Sequence, residues 1–475
     1  MTEHASAVIA MIEQISFALI VLLLIVVCWD DFRIGLENIR LPRAFATAVI
    51  VGTAGFMVFG IYDLGWDLIL MAVTIALAAA LSLLSLRFGL CFFVSTLLLR
   101  PWEVIPDSAL FLVLPRGLAL LLLSTALFRI TARPNWKLRF TIEDIACFVF
   151  VILSYASTFM NPMVLEAQQV WMDSYSRALM LYILIRLIAR GRQDVRALSM
   201  TLGIVGISLV AITLYRLYTD PSLHVYGARA ELFGMIGDPN DLAATLLLAV
   251  PLFVAECARY MTRRIPKLLV IAALAALSTW VIIQTQSRGA FVGLLVAGAA
   301  FALLRIKNLR RSFFLIPLGL VLAGALLFAT LSRSSSDLSE SSTSRMAYWK
   351  AGWNMAVRNP IVGVGFNAYP LRFEEYVDSS KVESKLRTAH SMWVLGLAET
   401  GFVGLACLIV LFLGSFGRVF RIRQHEPGLF VAFAGYFAAA SFLSHTYLLH
   451  PYILAGIGVS AALAVTKTDE KSVLA

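Results

Sequence analysis

The chain has 475 residues, 60% of them hydrophobic and 14% charged, with a net charge of +10. No soluble domain of that length hides so large an apolar fraction, and the repeated apolar runs of about 17–22 residues are the length a helix needs to cross a bilayer. The alternating pattern of an outer-membrane barrel is absent, and the arginines lie in short loops rather than in a separate basic module, which argues against nucleic acid as the partner.

In chain order, the first apolar run, 15–28, has no small-residue cleavage site after it and reads as a retained span. Further spans are predicted at 44–62, 68–86, 88–99, 112–130, 144–160, 174–190, 198–216, 241–257, 267–284, 290–304, 313–331, 391–417, 428–444 and 451–467. The segment 88–99 is too short to cross alone. The expected fold is therefore all-α, a polytopic membrane helical bundle of about 12–15 transmembrane helices. The sequence divides into N-terminal transmembrane helices at 1–140, a core transmembrane region at 141–331, one long extramembrane loop at 332–390, and C-terminal transmembrane helices at 391–475. Cys28, Cys91, Cys147, Cys257 and Cys407 are scattered in or beside the apolar runs, with no spacing for disulfides or zinc.

From residue 129 onward the loops alternate. Those at 129–139, 186–196, 259–267, 305–311 and 418–423 are basic; those at 161–173, 217–240, 285–289, 332–390 and 445–450 are acidic, mixed or nearly uncharged. By the positive-inside rule the first set is cytoplasmic and the second lies outside. Four arginines run against that rule. Arg288, in "TQSRGAF", sits between two apolar runs on the outer side, and Arg177, Arg216 and Arg229 share the anomaly. An ionisable group held at the less favoured end of a span is a functional candidate.

The long loop opens with "SRSSSDLSESSTSR", Ser332 to Arg345, a composition expected of a flexible linker. In "RMAYWKAGWNMAVRNP", Met346, Trp349, Trp353 and Ala356 fall at helical spacing, opposite Arg345, Lys350, Asn354 and Arg358. That is the pattern of an amphipathic helix lying at the membrane surface, ended by Pro360. "GVGF", Gly363 to Phe366, reads as a plain glycine turn, since a lone GxG is a weak phosphate signal. His390 stands where the loop meets the next apolar run, on the face that collects the outer arginines. Surrounding cations disfavour imidazolium and leave the ring available as a base. Glu399, nine residues on, is expected to play a structural part.

The chain has no GxxxxGK[ST] or strand-borne GxGxxG nucleotide fingerprint, and its outer carboxylates are few and dispersed, so neither a nucleotide nor a metal is expected. A substrate used on this face then carries its own activation. Arginine forks suit phosphate, and a lipid-linked sugar diphosphate fits. Guanidinium groups would clamp the departing diphosphate in place of a metal, and His390 would take the proton of the acceptor hydroxyl.

Three segments, "TQSRGAFVGLL", "SRMAYWKAGWNMAVRNPIVGVGFNAY" and "AHSMWVLGLAETGFVGL", together with "GDPNDLAATLL", resemble the O-antigen ligase and polymerase superfamily of bacterial envelope proteins over about residues 225–410. The resemblance implies a metal-independent, inverting membrane glycosyltransferase with no cofactor, acting at the periplasmic face of the inner membrane. It implies an undecaprenyl-diphosphate-linked glycan as donor and lipid A–core as acceptor, in lipopolysaccharide biosynthesis. A polymerase or a protein O-glycosylation ligase of the same superfamily shares the chemistry and differs in acceptor; a transporter is the alternative from another class. By motif, Arg288 matches the family's SRG arginine and His390 its histidine, while Arg177 matches by location. Arg216, Arg229 and Arg345 complete the expected diphosphate-binding set. Ser391 stands where many relatives carry asparagine.

Overall fold

The computed structural model describes residues 24–26, 28–32, 80–99, 109–131, 139–219, 229–230, 232, 237–305, 335–377 and 388–473. Its helices are α1 (Leu86–Leu99), α2 (Ala109–Thr131), α3 (Ile142–Ser157), α4 (Val164–Val170), α5 (Ser176–Ile188), α6 (Arg192–Thr219), α7 (Pro239–Tyr260), α8 (Arg264–Gln284), α9 (Arg288–Arg305), α10 (Ser335–Arg358), α11 (Tyr369–Tyr376), α12 (Met392–Arg421), α13 (Pro427–Ala440) and α14 (Leu449–Val473). Among the described residues there is no strand. Among the described residues six helical stretches are long and apolar enough to cross a membrane: Ile142–Met160, Arg192–Thr219, Pro239–Tyr260, Arg264–Gln284, Met392–Arg421 and Leu449–Thr466. The protein is an all-α polytopic membrane bundle. The spans predicted at 44–62 and 313–331, and most of those at 15–28 and 68–86, lie outside the described residues.

The chain forms two compact units, one of residues 1–138 and 184–285, the other of 139–183 and 286–475. In the first, α6 packs along α7 and on α1, and α8 packs on both α7 and α6. Gly206 permits the close crossing of α6 and α7, since a Cβ there would stand 2.5 Å from that of Ala249. α7 opens on Asp238, whose side chain accepts the Asn240 N–H at 2.7 Å, with Pro239 at the first helical position, where its missing N–H costs nothing. In the second unit α12 is central and packs against α3, α10, α13 and α14, while α9 lies along α13. A Thr141–Asp144 capping box starts α3.

Two contacts, one in each unit, involve ends assigned by charge to the cytoplasm: that of Asp194 in the first, those of Glu143 and Arg418 in the second. Arg87 at the head of α1 bonds Asp194 at 2.7 Å, and Glu143 at the head of α3 bonds Arg418 near the end of α12, also at 2.7 Å. Outer ends meet outer ends in the same way: Asn161 Nδ2 donates to Phe366 O at 2.7 Å, and Ala230 N donates to Gln284 O at 3.0 Å.

Several connections are more helical than the sequence suggests. The basic loop 186–196 shrinks to Ala189–Gly191. Asp194 accepts the N–H groups of Arg190 and Gly191 at 3.1 and 2.8 Å, which lets α6 begin at Arg192. The outer connection 161–173 contains α4 and a π-helical turn, Trp171–Tyr175, anchored by Trp171 Nε1 donating to Ser154 Oγ at 3.1 Å. The Ser-rich stretch expected as a linker is helical from Ser335 onward, which corrects that expectation. Serine is only a middling helix former, but helix propagates readily from a packed nucleus, and Tyr348, Ala351 and Met355 provide one.

Candidate active site

The SRG turn comes first. α8 ends at Gln284, Thr285 Oγ1 donates back to Ile282 O at 2.7 Å, and Gln286 takes the left-handed φ of +50° that reverses the chain. Ser287 Oγ accepts the Ala290 N–H at 3.3 Å, and Arg288 is the first residue of α9. Gly289 lets the head of α9 press on α13, since a Cβ would stand 3.2 Å from Ala439 O. Arg288 therefore adds its charge to the positive end of a helix, a combination that attracts anions.

A second guanidinium feels its charge. Arg345 lies on α10, whose buried face of Tyr348, Ala351 and Met355 packs on α12. Gly352 admits Val394 there, with 2.5 Å between a notional Cβ and Val394 Cγ1. Burial first, and Arg288 second, hold the Arg345 guanidinium below the usual arginine range. The stripe expected to face the membrane divides. Met346 and Trp353 are exposed, Trp349 leans on Phe442 with ring centroids 6.3 Å apart, and Ala356 is buried.

His390 is reached from the same helix. Tyr348, one turn beyond Arg345, places its ring centroid 6.0 Å from that of His390. His390 has φ +46°, a left-handed conformation uncommon for a residue with a side chain. Its N–H donates to Ser444 Oγ at 3.0 Å. The next residue, Ser391, caps α12 by accepting the Val394 N–H at 3.5 Å.

The remaining family-like stretches build the frame. α12 kinks at Gly401, with φ +69° and ψ −170°, a region open essentially only to glycine. The turn 360–366 fills the kink: Phe402 N donates to Pro360 O and Val364 N to Ala398 O, both at 2.9 Å. Gly363, at φ +67°, has room for no side chain, because a Cβ would stand 2.4 Å from Glu399 C. Glu399 is buried and accepts the Tyr369 N–H at 3.1 Å, at the head of α11. "GVGF" is thus a turn packed into the kink, and Glu399 lies buried beside it.

Arg345 stands one turn before Tyr348, whose ring lies 6.0 Å from that of His390, and the charge of Arg288 bears on Arg345. Arg177 stands in the first turn of α5 in the same unit, outside those contacts. Arg216 and Arg229 belong to the other unit, where Arg216 is buried in the last turn of α6. Arg229 is partly committed to the protein: Nε donates to Thr285 O at 2.9 Å and one Nη to Asn240 Oδ1 at 3.0 Å. Tyr348 and Ser444 both lie against His390, and neither carries a motif signal; Ser444 is 54 residues away in sequence. Among the described residues no three His, Cys, Asp or Glu side chains group as metal ligands would.

These features define a polytopic membrane protein whose helix N-terminus, two arginines and histidine suit an anionic substrate. Residues 272–409 match the family model described as O-antigen ligase, a similarity that supports an O-antigen ligase/polymerase-type membrane enzyme. The match runs from within α8 to the middle of α12 and contains Arg288, Arg345 and His390, while Arg177, Arg216 and Arg229 fall outside it. No curated protein matches the chain.

Proposed function

We propose that the protein transfers a glycan from undecaprenyl diphosphate to lipid A–core at the periplasmic face of the bacterial inner membrane, with inversion and without a metal or other cofactor. The observation that carries this reading is the place of Arg288 at the head of α9, where its charge also bears on the Arg345 guanidinium. Two guanidinium groups held together repel each other, and a diphosphate bridging them turns that repulsion into a clamp. Arg177, Arg216 and Arg229 are further candidates for the donor's phosphates.

In the reaction, an acceptor hydroxyl oxygen attacks the anomeric carbon from the side opposite the diphosphate. The C–O bond to the diphosphate breaks, and its electron pair goes to the leaving oxygen, where the arginines hold the charge. His390 takes the hydroxyl proton. Every step uses side chains inside the segment that matches the family.

A polymerase shares this chemistry, so the acceptor decides. The lipopolysaccharide gel pattern of a deletion strain separates the two. Core without a ladder, while lipid-linked glycan accumulates, is the expected result; core carrying a single repeat unit overturns the choice of acceptor in favour of a polymerase.

A further inference from the structure

We propose that Ser444, in the turn between α13 and α14, is a positioning residue that sets the backbone of His390 and so the direction of its imidazole. The inference rests on the proposed role of His390 as the base.

His390 holds φ +46°, and such a conformation persists only where the surroundings over-determine it. The surroundings are a clasp made by residues 441–446. Ser444 Oγ accepts the His390 N–H at 3.0 Å and donates its own proton to Thr388 Oγ1 at 2.9 Å. That donation turns a hydroxyl lone pair toward His390, so one side chain grips the histidine and the residue two before it. Thr446 Oγ1 donates to Met392 O at 2.6 Å. Trp393 Nε1 donates to Ser441 Oγ at 3.0 Å, and Ser441 Oγ donates to Phe437 O in the last turn of α13 at 2.8 Å. Residues 388, 390, 392 and 393 are therefore all tied to one turn.

On its far side the histidine ring meets Tyr348. Relaxing φ to an ordinary negative value turns the Cα–Cβ bond about the N–Cα axis relative to the N–H that Ser444 holds, so the imidazole leaves its place beside α10. α12 itself does not depend on Ser444, because Ser391 caps it independently. Ser444 thus acts on the histidine rather than on the helix that follows.

The test uses the purified full chain with Ser444→Ala, Ser444→Thr, His390→Ala and the Ser444→Ala/His390→Ala double variant. Ser444→Ala is expected to lower kcat roughly 5- to 50-fold, the effect of leaving one polar group unpaired, with donor KM within about twofold. Ser444→Thr keeps the hydroxyl and is expected to recover most of the turnover. In the His390→Ala background Ser444→Ala should cost nothing further, because both changes act through one group. Wild-type turnover in Ser444→Ala, or the same fractional loss with and without the histidine, overturns the proposal. Amide hydrogen exchange at His390 reads the clasp without any activity. It should quicken in Ser444→Ala, and unchanged exchange overturns the proposal too. A wild-type chain that transfers no glycan, while exchange quickens in the variant, counts against the proposed function and not against the clasp.

Discussion

Replacing Arg345 by glutamine should move stability and activity in opposite directions. In the empty protein Arg345 is half-buried and disfavoured by both its burial and Arg288. Repulsion between charges that water still screens is worth about 0.2–1 kcal/mol, the scale of an exposed ion pair with the sign reversed. Arg345→Gln keeps a polar side chain of similar reach and removes that repulsion. The unliganded variant should therefore unfold at the wild-type temperature or a degree or two above it, on a scale of about 2–4 °C per kcal/mol for a large domain. Glycan transfer should fall roughly 10- to 150-fold, since a hydrogen bond to a charged group contributes about 1.5–3 kcal/mol. Thermal unfolding in detergent, with and without lipid-linked donor, measures the stability, and a transfer assay on the same preparation measures the rate. The donor should raise the wild-type transition more than that of the variant. A variant that is less stable than wild type yet fully active would refute the argument and make Arg345 a structural ion.

Other consequences follow from the same geometry. Arg288→Lys keeps the charge but loses the fork, and transfer by the normally inserted variant should drop roughly 5- to 150-fold; wild-type rates would end the case for bidentate contact. His390→Gln keeps a hydrogen-bonding side chain but cannot take the proton, so turnover should fall about 100-fold or more while the donor still stabilises the protein; full activity would leave the histidine as a mere contact for the acceptor. Gly401→Ala should cost about 1–3 kcal/mol of stability, because its Cβ would meet Pro360 O at 2.5 Å with φ at +69°; an unchanged unfolding temperature would deny the kink its role.

The membrane helices were legible because apolar runs of spanning length leave little else to form, and α7, α8 and α9 begin and end within three residues of their predicted spans. Errors gathered where the chain is polar. A run of serines carries no periodic signal, so the helix that enters the site from Ser335 could be inferred only from its packed second half. The rule-breaking charge singled out Arg288, which the fold sets at the head of α9. The same charge argument treated Arg229 alike, although its hydrogen bonds to Thr285 and Asn240 depend on a fold that charge cannot reveal. Ser444 and Tyr348 were invisible for a related reason. A hydroxyl in an apolar turn and a tyrosine on a buried helix face look ordinary until distant segments meet.

The most direct test of the central claim is transfer by the purified chain in detergent and excess EDTA, from an undecaprenyl-diphosphate-linked glycan to lipid A–core. The account predicts glycan covalently joined to the acceptor with inverted anomeric configuration, and one undecaprenyl diphosphate released per transfer. Donor that stays intact in EDTA and reacts only once magnesium or manganese is restored would contradict the arginine clamp on the diphosphate.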